Sequence, residues 1–302
     1  MKKCFYLSFL LAAALAFIPA AAAQTSSLKG QSFNGSTGLY SIPSGRIGWE
    51  RSSDLGLDFG YRAIINEDGA AHIPSVTVSL FKWVEFSTAF DIQPDFDVLK
   101  GYTPPRWETQ KNDDLLFGIK VQLPTNVKNS KNPAVALGTN IQVINLADDD
   151  SYTNSEYRYT AFQFYAAATY AGTFFTMPAE TTVVMGKTIY AGIDNNSDID
   201  FGMGFDLILF PDVFKTFVHW IIDFANFDYS DNSWPNTLNH VTGSAWYRGI
   251  LNTGLRIDLA AIPALSKFKF AVDLAFNDLF DGQDHGRGRS FTIGAVFGVP
   301  IL

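Results

Sequence analysis

The chain has 302 residues, a formal net charge of -8 at pH 7, 47% apolar residues, 15% aromatic residues and 17% charged residues. So much apolar surface with so little charge excludes a disordered chain. The acidic balance excludes nucleic acid as a partner, which requires a basic face, and a mean hydropathy just above zero is too low for a bundle of membrane helices.

Residues 1–23 read as a secretory signal peptide. Lys2 and Lys3 form the positive start, Phe5 to Ile18 the uncharged apolar run, and Ala21-Ala22-Ala23 a small-residue cleavage site ahead of Gln24. Cys4 is the one cysteine and lies inside that leader. The exported chain is therefore expected to have no disulfide, no thiolate metal site and no cysteine nucleophile. Residues 24–53 read as an N-terminal lead. Gln24 to Thr37 is polar and rich in Ser and Gly, the composition of a flexible linker. Pro43 and Gly45 mark a turn. Three roles stay open for this turn: tucking into a barrel mouth, bracing a periplasmic rim, or no role beyond the turn.

From residue 54 to 302 one pattern repeats without a domain break. In Asp54 to Arg62, Leu55, Leu57, Phe59 and Tyr61 fall on one face, and Asp54, Gly56, Asp58, Gly60 and Arg62 on the other. Asp114–Leu123, Val135–Asn145, Asp200–Phe210, Leu251–Leu259 and Phe268–Asn277 alternate in the same way. Alternation alone says that one face is dry and the other wet. The dry face here is bulky and aromatic, whereas the wet face is Gly, Ala, Asp and Lys. A soluble barrel fills its interior with the bulky face; a membrane barrel turns that face to lipid.

The reading is all-β: a transmembrane antiparallel barrel of about twelve strands, in the outer membrane, after a cleaved signal peptide. The strands are expected near 54–65, 73–81, 83–92, 113–123, 133–145, 158–171, 180–191, 198–210, 214–228, 246–260, 268–279 and 290–301. The register of 180–191 is poorly defined around Lys187. Odd-numbered connections are the longer and more acidic ones, with Asp148-Asp149-Asp150 among them; several even ones carry lysine, such as Lys82, Lys128 and Lys131. That parity fits outer loops alternating with periplasmic turns. Thr160 to Ala179 has no charge, but Gln163, four threonines and Pro178 make it costly in lipid as a helix.

Under this register Asp58, Arg62, Lys120, Asp206, Asp223, Arg256, Asp258, Lys269 and Asp273 line the lumen. Charges of both signs either pair across the interior and plug it or line a narrow aqueous path. Arg256 and Asp258, with Asp206 or Asp273, are the first candidates for pairing. His72, His219, His240 and His285 are scattered, with no metal-ligand spacing and no G-x-S-x-G nearby. No cofactor and no metal are expected, and no catalytic residue. Trp83 and Trp246 suit an interfacial girdle; Trp107 and Trp234, in long loops, suit either a girdle or a sugar-stacking role. Thr292 to Val299 reads polar-x-Gly-x-x-aromatic-x-apolar, similar to the C-terminal signal recognised by the outer-membrane insertion machinery.

Thr37-Gly38-Leu39, Ile42-Pro43-Ser44-Gly45-Arg46 and the following Gly-Tyr strand resemble the N-terminal signature of the YjbH-like outer-membrane proteins, and Asn252 to Arg256 is also similar. That resemblance implies an outer-membrane barrel linked to exopolysaccharide export; it implies no catalytic residue. The expected function is a small porin-like channel or a barrel supporting surface polysaccharide export, not an enzyme. The alternatives are a plugged structural or adhesin barrel, and a membrane-embedded hydrolase using His285 or His219. Expected partners are outer-membrane lipid, the insertion machinery, and either polysaccharide or small solutes.

Overall fold

A computed structural model describes residues 30–49, 53–66, 69–92, 96–100, 106–110, 112–125, 132–146, 158–191, 199–227, 229, 249–280 and 289–301. The expected signal peptide and Gln24 to Lys29 lie outside the described residues.

Twelve antiparallel strands close into a barrel. They are β1 (Leu55–Asn66), β2 (Gly69–Leu80), β3 (Val84–Asp91), β6 (Asn112–Leu123), β7 (Ala134–Leu146), β8 (Arg158–Phe174), β9 (Met177–Ala191), β10 (Asp200–Ile208), β11 (Val218–Ala225), β12 (Ile250–Asp258), β13 (Lys269–Asn277) and β14 (Ser290–Pro300). Each pairs with its neighbour in the barrel, and β14 closes on β1 from Gly56↔Pro300 to Ile65↔Phe291. The uncharged run from Thr160 is strand, in β8.

Two further strands, β4 (Phe96–Lys100) and β5 (Arg106–Gln110), form a separate hairpin. They sit within Gln93 to Asn112, the connection expected between the third and fourth barrel strands. In β9, Lys187 is the Cα partner of the outward-facing Phe164 and shares the outer face with Met185 and Ile189, which fixes the register.

The alternation has a definite hand. In β1, Asp58 is fully buried while Phe59 keeps 49% of its surface exposed. Phe117, Leu137, Phe164, Met185, Phe276 and Phe297 join Phe59 on the exposed outer face. Buried Ser, Thr, Asn, Asp and Arg line the inside. Such an exterior is costly in water and favourable in hydrocarbon. Ladder hydrogen bonding without an open edge satisfies the backbone inside lipid. An even-stranded barrel of this polarity is of the outer-membrane type and sits in a bacterial outer membrane.

Two strand turns at one end are tight. Phe175 and Thr176 form the two-residue link between β8 and β9, both with positive φ, and Phe81 and Lys82 share that conformation between β2 and β3. This is the I′-like twist that tight hairpins favour, in residues for which it is strained. Phe81 and Phe175 are exposed, in a position to enter the interfacial layer where aromatics are favoured.

The plugged lumen as the candidate functional site

Twelve strands enclose a lumen too wide for wall side chains alone to fill, but narrower than an open porin's. Here the chain fills it with its own N-terminal lead. Every residue from Gly30 to Trp49 is buried. The flexible linker expected over Gln24 to Thr37 is therefore corrected for Gly30 to Thr37. Ser and Gly serve there as compact hydrogen-bonding groups against a polar wall, not as a spacer. The turn at Pro43 and Gly45 belongs to the same plug.

The plug folds on itself with few local bonds. Ser32 N–H donates to Ser36 O at 2.8 Å, Phe33 N–H to Tyr40 O at 2.8 Å, and Leu39 N–H to Ile42 O at 3.0 Å. Other donors of the plug go to the wall. Tyr40 and Ser41 N–H both reach Asp223 Oδ2 at 2.7 Å. Thr37 donates its N–H (2.8 Å) and its Oγ1 hydroxyl (2.6 Å) to Glu85. Ile47 N–H reaches Gln122 at 2.9 Å, Gly45 N–H reaches Thr169 at 2.9 Å, and Arg46 faces Glu180 at 3.2 Å. Trp49 donates its indole N–H to Asp58 at 2.7 Å. Many buried polar groups are thereby satisfied across the plug–wall boundary, as a low-dielectric interior demands.

All nine residues assigned to the lumen from the sequence are buried, and each lies on a barrel strand. Asp58 pairs with Lys269 at 2.5 Å, and that ammonium lies 5.2 Å from the centre of the Trp49 ring. Lys120 sits 3.0 Å from Glu85 and donates to Thr37 O at 2.9 Å. Arg256 pairs with Asp273 at 2.7 Å, and Arg62 approaches the same carboxylate at 3.5 Å. Arg62 also donates to the carbonyls of Gln31 and Ser32, and Arg256 to that of Gly38. Asp206 pairs with His219 at 2.6 Å, and Asp258 accepts from Ala260 N–H at the turn after β12.

Apolar contacts complete the plug. Phe33, Leu39, Tyr40 and Ile42 cluster with wall residues such as Ile64, Ile73, Val184 and Ile221. Wall glycines make room for it. A Cβ at Gly204 would stand 2.4 Å from the Leu39 side chain, and one at Gly56 would stand 2.2 Å from the Trp49 ring. Phe227 and Tyr229, read from sequence as strand end and outer loop, are buried in the same cluster. Tyr229 hydroxyl joins Asn140 and Gln163, and Asn140 accepts from Asn34 of the plug at 2.9 Å.

Several participants escaped the sequence reading. Glu85 was recoverable, because V-E-F-S-T alternates as cleanly as its neighbours. Glu180 stands beside a Pro-containing turn and gave no such signal. Trp49 is buried in the lumen. Trp83 is half-buried at the turn into β3. Trp107 lies on β5, while Trp234 and Trp246 lie outside the described residues. Of the histidines, His72 faces outward beside Tyr61, whose hydroxyl lies 2.6 Å from Nδ1. His219 faces the lumen, and His240 and His285 lie outside the described residues. Among the described residues no metal-binding cluster forms.

No family model and no curated protein matches the chain. Solved structures resemble it in barrel architecture. LpxR from Salmonella typhimurium is 11% identical, over 82% of this chain and 100% of that one, with a TM-score of 0.43. The Acinetobacter baumannii outer membrane protein Omp33 is 10% identical over 83% and 100%, at 0.38. The Pseudomonas putida toluene transporter TodX is 9% identical over 90% and 98%, at 0.39.

Proposed function

We propose that this protein is an outer-membrane channel held shut at rest by its own N-terminal segment, which acts as a gate. The observation that carries the reading is the complete burial of residues 30–49 within the barrel. An open porin-like path does not fit that arrangement. A permanent filler fits it less well than a gate. The plug is held by hydrogen bonds and ion pairs that water can replace, it carries no covalent tie to the wall, and it joins β1 at one end only.

The test is conductance of the full-length protein in planar bilayers, with and without a tether. Cysteines replacing Asn34 and Asn140, whose side chains are hydrogen-bonded at 2.9 Å, can be joined by a short thiol crosslinker. The untethered protein is expected to be silent apart from rare openings. Those openings disappear on crosslinking and return on reduction of a cleavable linker. Continuous open-pore conductance in the untethered protein would falsify the gate. Silence under every condition, including sub-denaturing urea, favours a permanently plugged barrel. The polysaccharide link rests on the resemblance of Gly38 to Tyr61 to YjbH-like proteins alone; loss of surface polysaccharide on deleting the gene is the observation it requires.

A further inference from the structure

The lumen holds a second piece of chain besides the plug, and it comes from the opposite end of the barrel. The plug meets the wall where Trp49 lies against Gly56, near the start of β1. β11 runs outward from the connection at Pro211–Phe214, so the residues after it belong to an outer loop. Asn226 fixes the point of departure. Its Oδ1 accepts Phe201 N–H at 2.7 Å, and its Nδ2 donates to Ile199 O at 2.9 Å. Beyond it Phe227 and Tyr229 are buried, and their rings meet edge to face at 5.6 Å.

Tyr229 bonds far from the strand it follows. Its hydroxyl donates to Gln163 of β8 and accepts from Asn140 of β7 at 2.6 Å, and its carbonyl accepts from Gln142 of β7 at 3.2 Å. β7 lies four places from β11 around the barrel, about 19 Å along the wall at the spacing of sheet strands. Asn140 joins this loop to the plug. Its Nδ2 donates to Tyr229 and Gln163, and its Oδ1 accepts Asn34 Nδ2 at 2.9 Å. The row is oriented at both ends. Gln163 Nε2 donates to Asp200 Oδ2 at 2.8 Å, and Asn34 Oδ1 accepts from Ser32 and Ser36. Phe227 and Tyr229 also belong to the apolar cluster that holds Phe33 and Tyr40 of the plug.

We infer that the lumen is barred twice, by the plug from one end and by the loop after β11 from the other, and that conduction requires both to clear. This rests on the gate proposed above and adds its outer half. Tyr229 is the residue that positions the loop across the mouth, and Asn140 couples the two bars. A buried amide network that loses one member leaves its neighbours unsatisfied, so release of either bar loosens the other.

The experiment tethers the loop and leaves the plug free. Cysteines replace Tyr229 and Gln163 in the full chain, so that Asn34 and Asn140 stay native. Folding is checked by the heat-modifiable shift in gel mobility, and conductance in planar bilayers is read before and after a short thiol crosslinker whose attachment is verified by mass. The openings are expected to be several-fold more frequent than in the parent, to vanish on linking and to return when a cleavable linker is reduced. Openings of unchanged frequency and size after linking overturn the outer bar and leave the gate standing. Silence under every condition, sub-denaturing urea included, overturns the gate and this inference with it. If the double variant fails to fold, Tyr229→Phe decides, because it keeps the ring and removes the hydroxyl: several-fold more frequent openings support the outer bar, and an unchanged rate overturns it. Asn34→Ala combined with Tyr229→Phe tests the coupling. The joint effect on opening rate is expected to differ from the product of the single effects; a simple product overturns the link through Asn140.

Discussion

Arg256 and Asp273 are Cα partners across β12 and β13, and their side chains meet twice, Nε to Oδ1 at 2.7 Å and Nη2 to Oδ2 at 3.2 Å. Arg62 reaches the same Oδ2 at 3.5 Å. One carboxylate thus orients two guanidiniums, and these donate to the plug carbonyls of Gln31, Ser32 and Gly38. Asp273→Ala leaves both cations in the wall without their shared anion. The expected cost is about 3–5 kcal/mol, read as a lower temperature for the heat-induced gel shift. A shift temperature equal to that of the parent would show that the pair contributes nothing.

Glu85 takes three plug donors, Thr37 N–H, Thr37 Oγ1 and Gly48 N–H. Arg46 is buried, so trypsin should leave its peptide bond intact while the plug is seated. Glu85→Gln weakens charge-assisted bonds worth about 1.5–3 kcal/mol each, so cleavage after Arg46 should accelerate by about tenfold or more. Combining it with Thr37→Val should give less than the sum of the two effects, since both weaken the Thr37 Oγ1–Glu85 bond. Additive effects would argue against the assigned bond.

Gly56→Val directs its new bulk at the plug. The three nearest atoms to an added Cβ all belong to the Trp49 ring, at 2.2 to 2.6 Å. Overpacking of this kind costs about 1–3 kcal/mol, and the ring must leave. More frequent channel openings, with barrel mobility on gels preserved, are the expected result. Unchanged gating would mean that Trp49 does not help seat the plug.

The outward face can be tested with one charge at two depths. Phe59 lies in the middle of β1, exposed and paired in register with Phe297 of β14. Phe59→Arg is expected to destabilise the inserted barrel by about 2–4 kcal/mol. Phe175→Arg, at the exposed turn between β8 and β9, is expected to cost about 0–1 kcal/mol. Folding yields into vesicles over a denaturant series measure both. Equal costs would remove the assignment of that face to lipid.

The barrel was legible because its information is local. Leu57, Phe59 and Tyr61 against Asp58, Gly60 and Arg62 state a period and a polarity within six residues, and twelve such segments state the closure. The inward positions of Lys120, Asp223 and Asp273 follow from the same alternation. The plug was not legible, because its bonds are long-range. Tyr40 finds Asp223 183 residues away, and Gly45 finds Thr169 124 residues away. Nothing in Gly30 to Thr37 marks such partners, and a Ser- and Gly-rich run reads equally as linker. The signal that was available lies just downstream, where Leu39, Tyr40, Ile42, Ile47 and Trp49 are too apolar for a solvated lead. The β4–β5 hairpin was missed for another reason: its two five-residue strands are too short for periodicity to stand out.

Trp49, at the end of the buried lead, packs against Gly56 near the start of the first strand of the seam, so the lead meets the wall at the mouth where that strand begins. No part of the wall has to pass around it. The staves can consequently be hooped and the seam zipped before the stopper goes in, so assembly needs no threading, and the last event in maturation is free to be the corking of an already finished vessel.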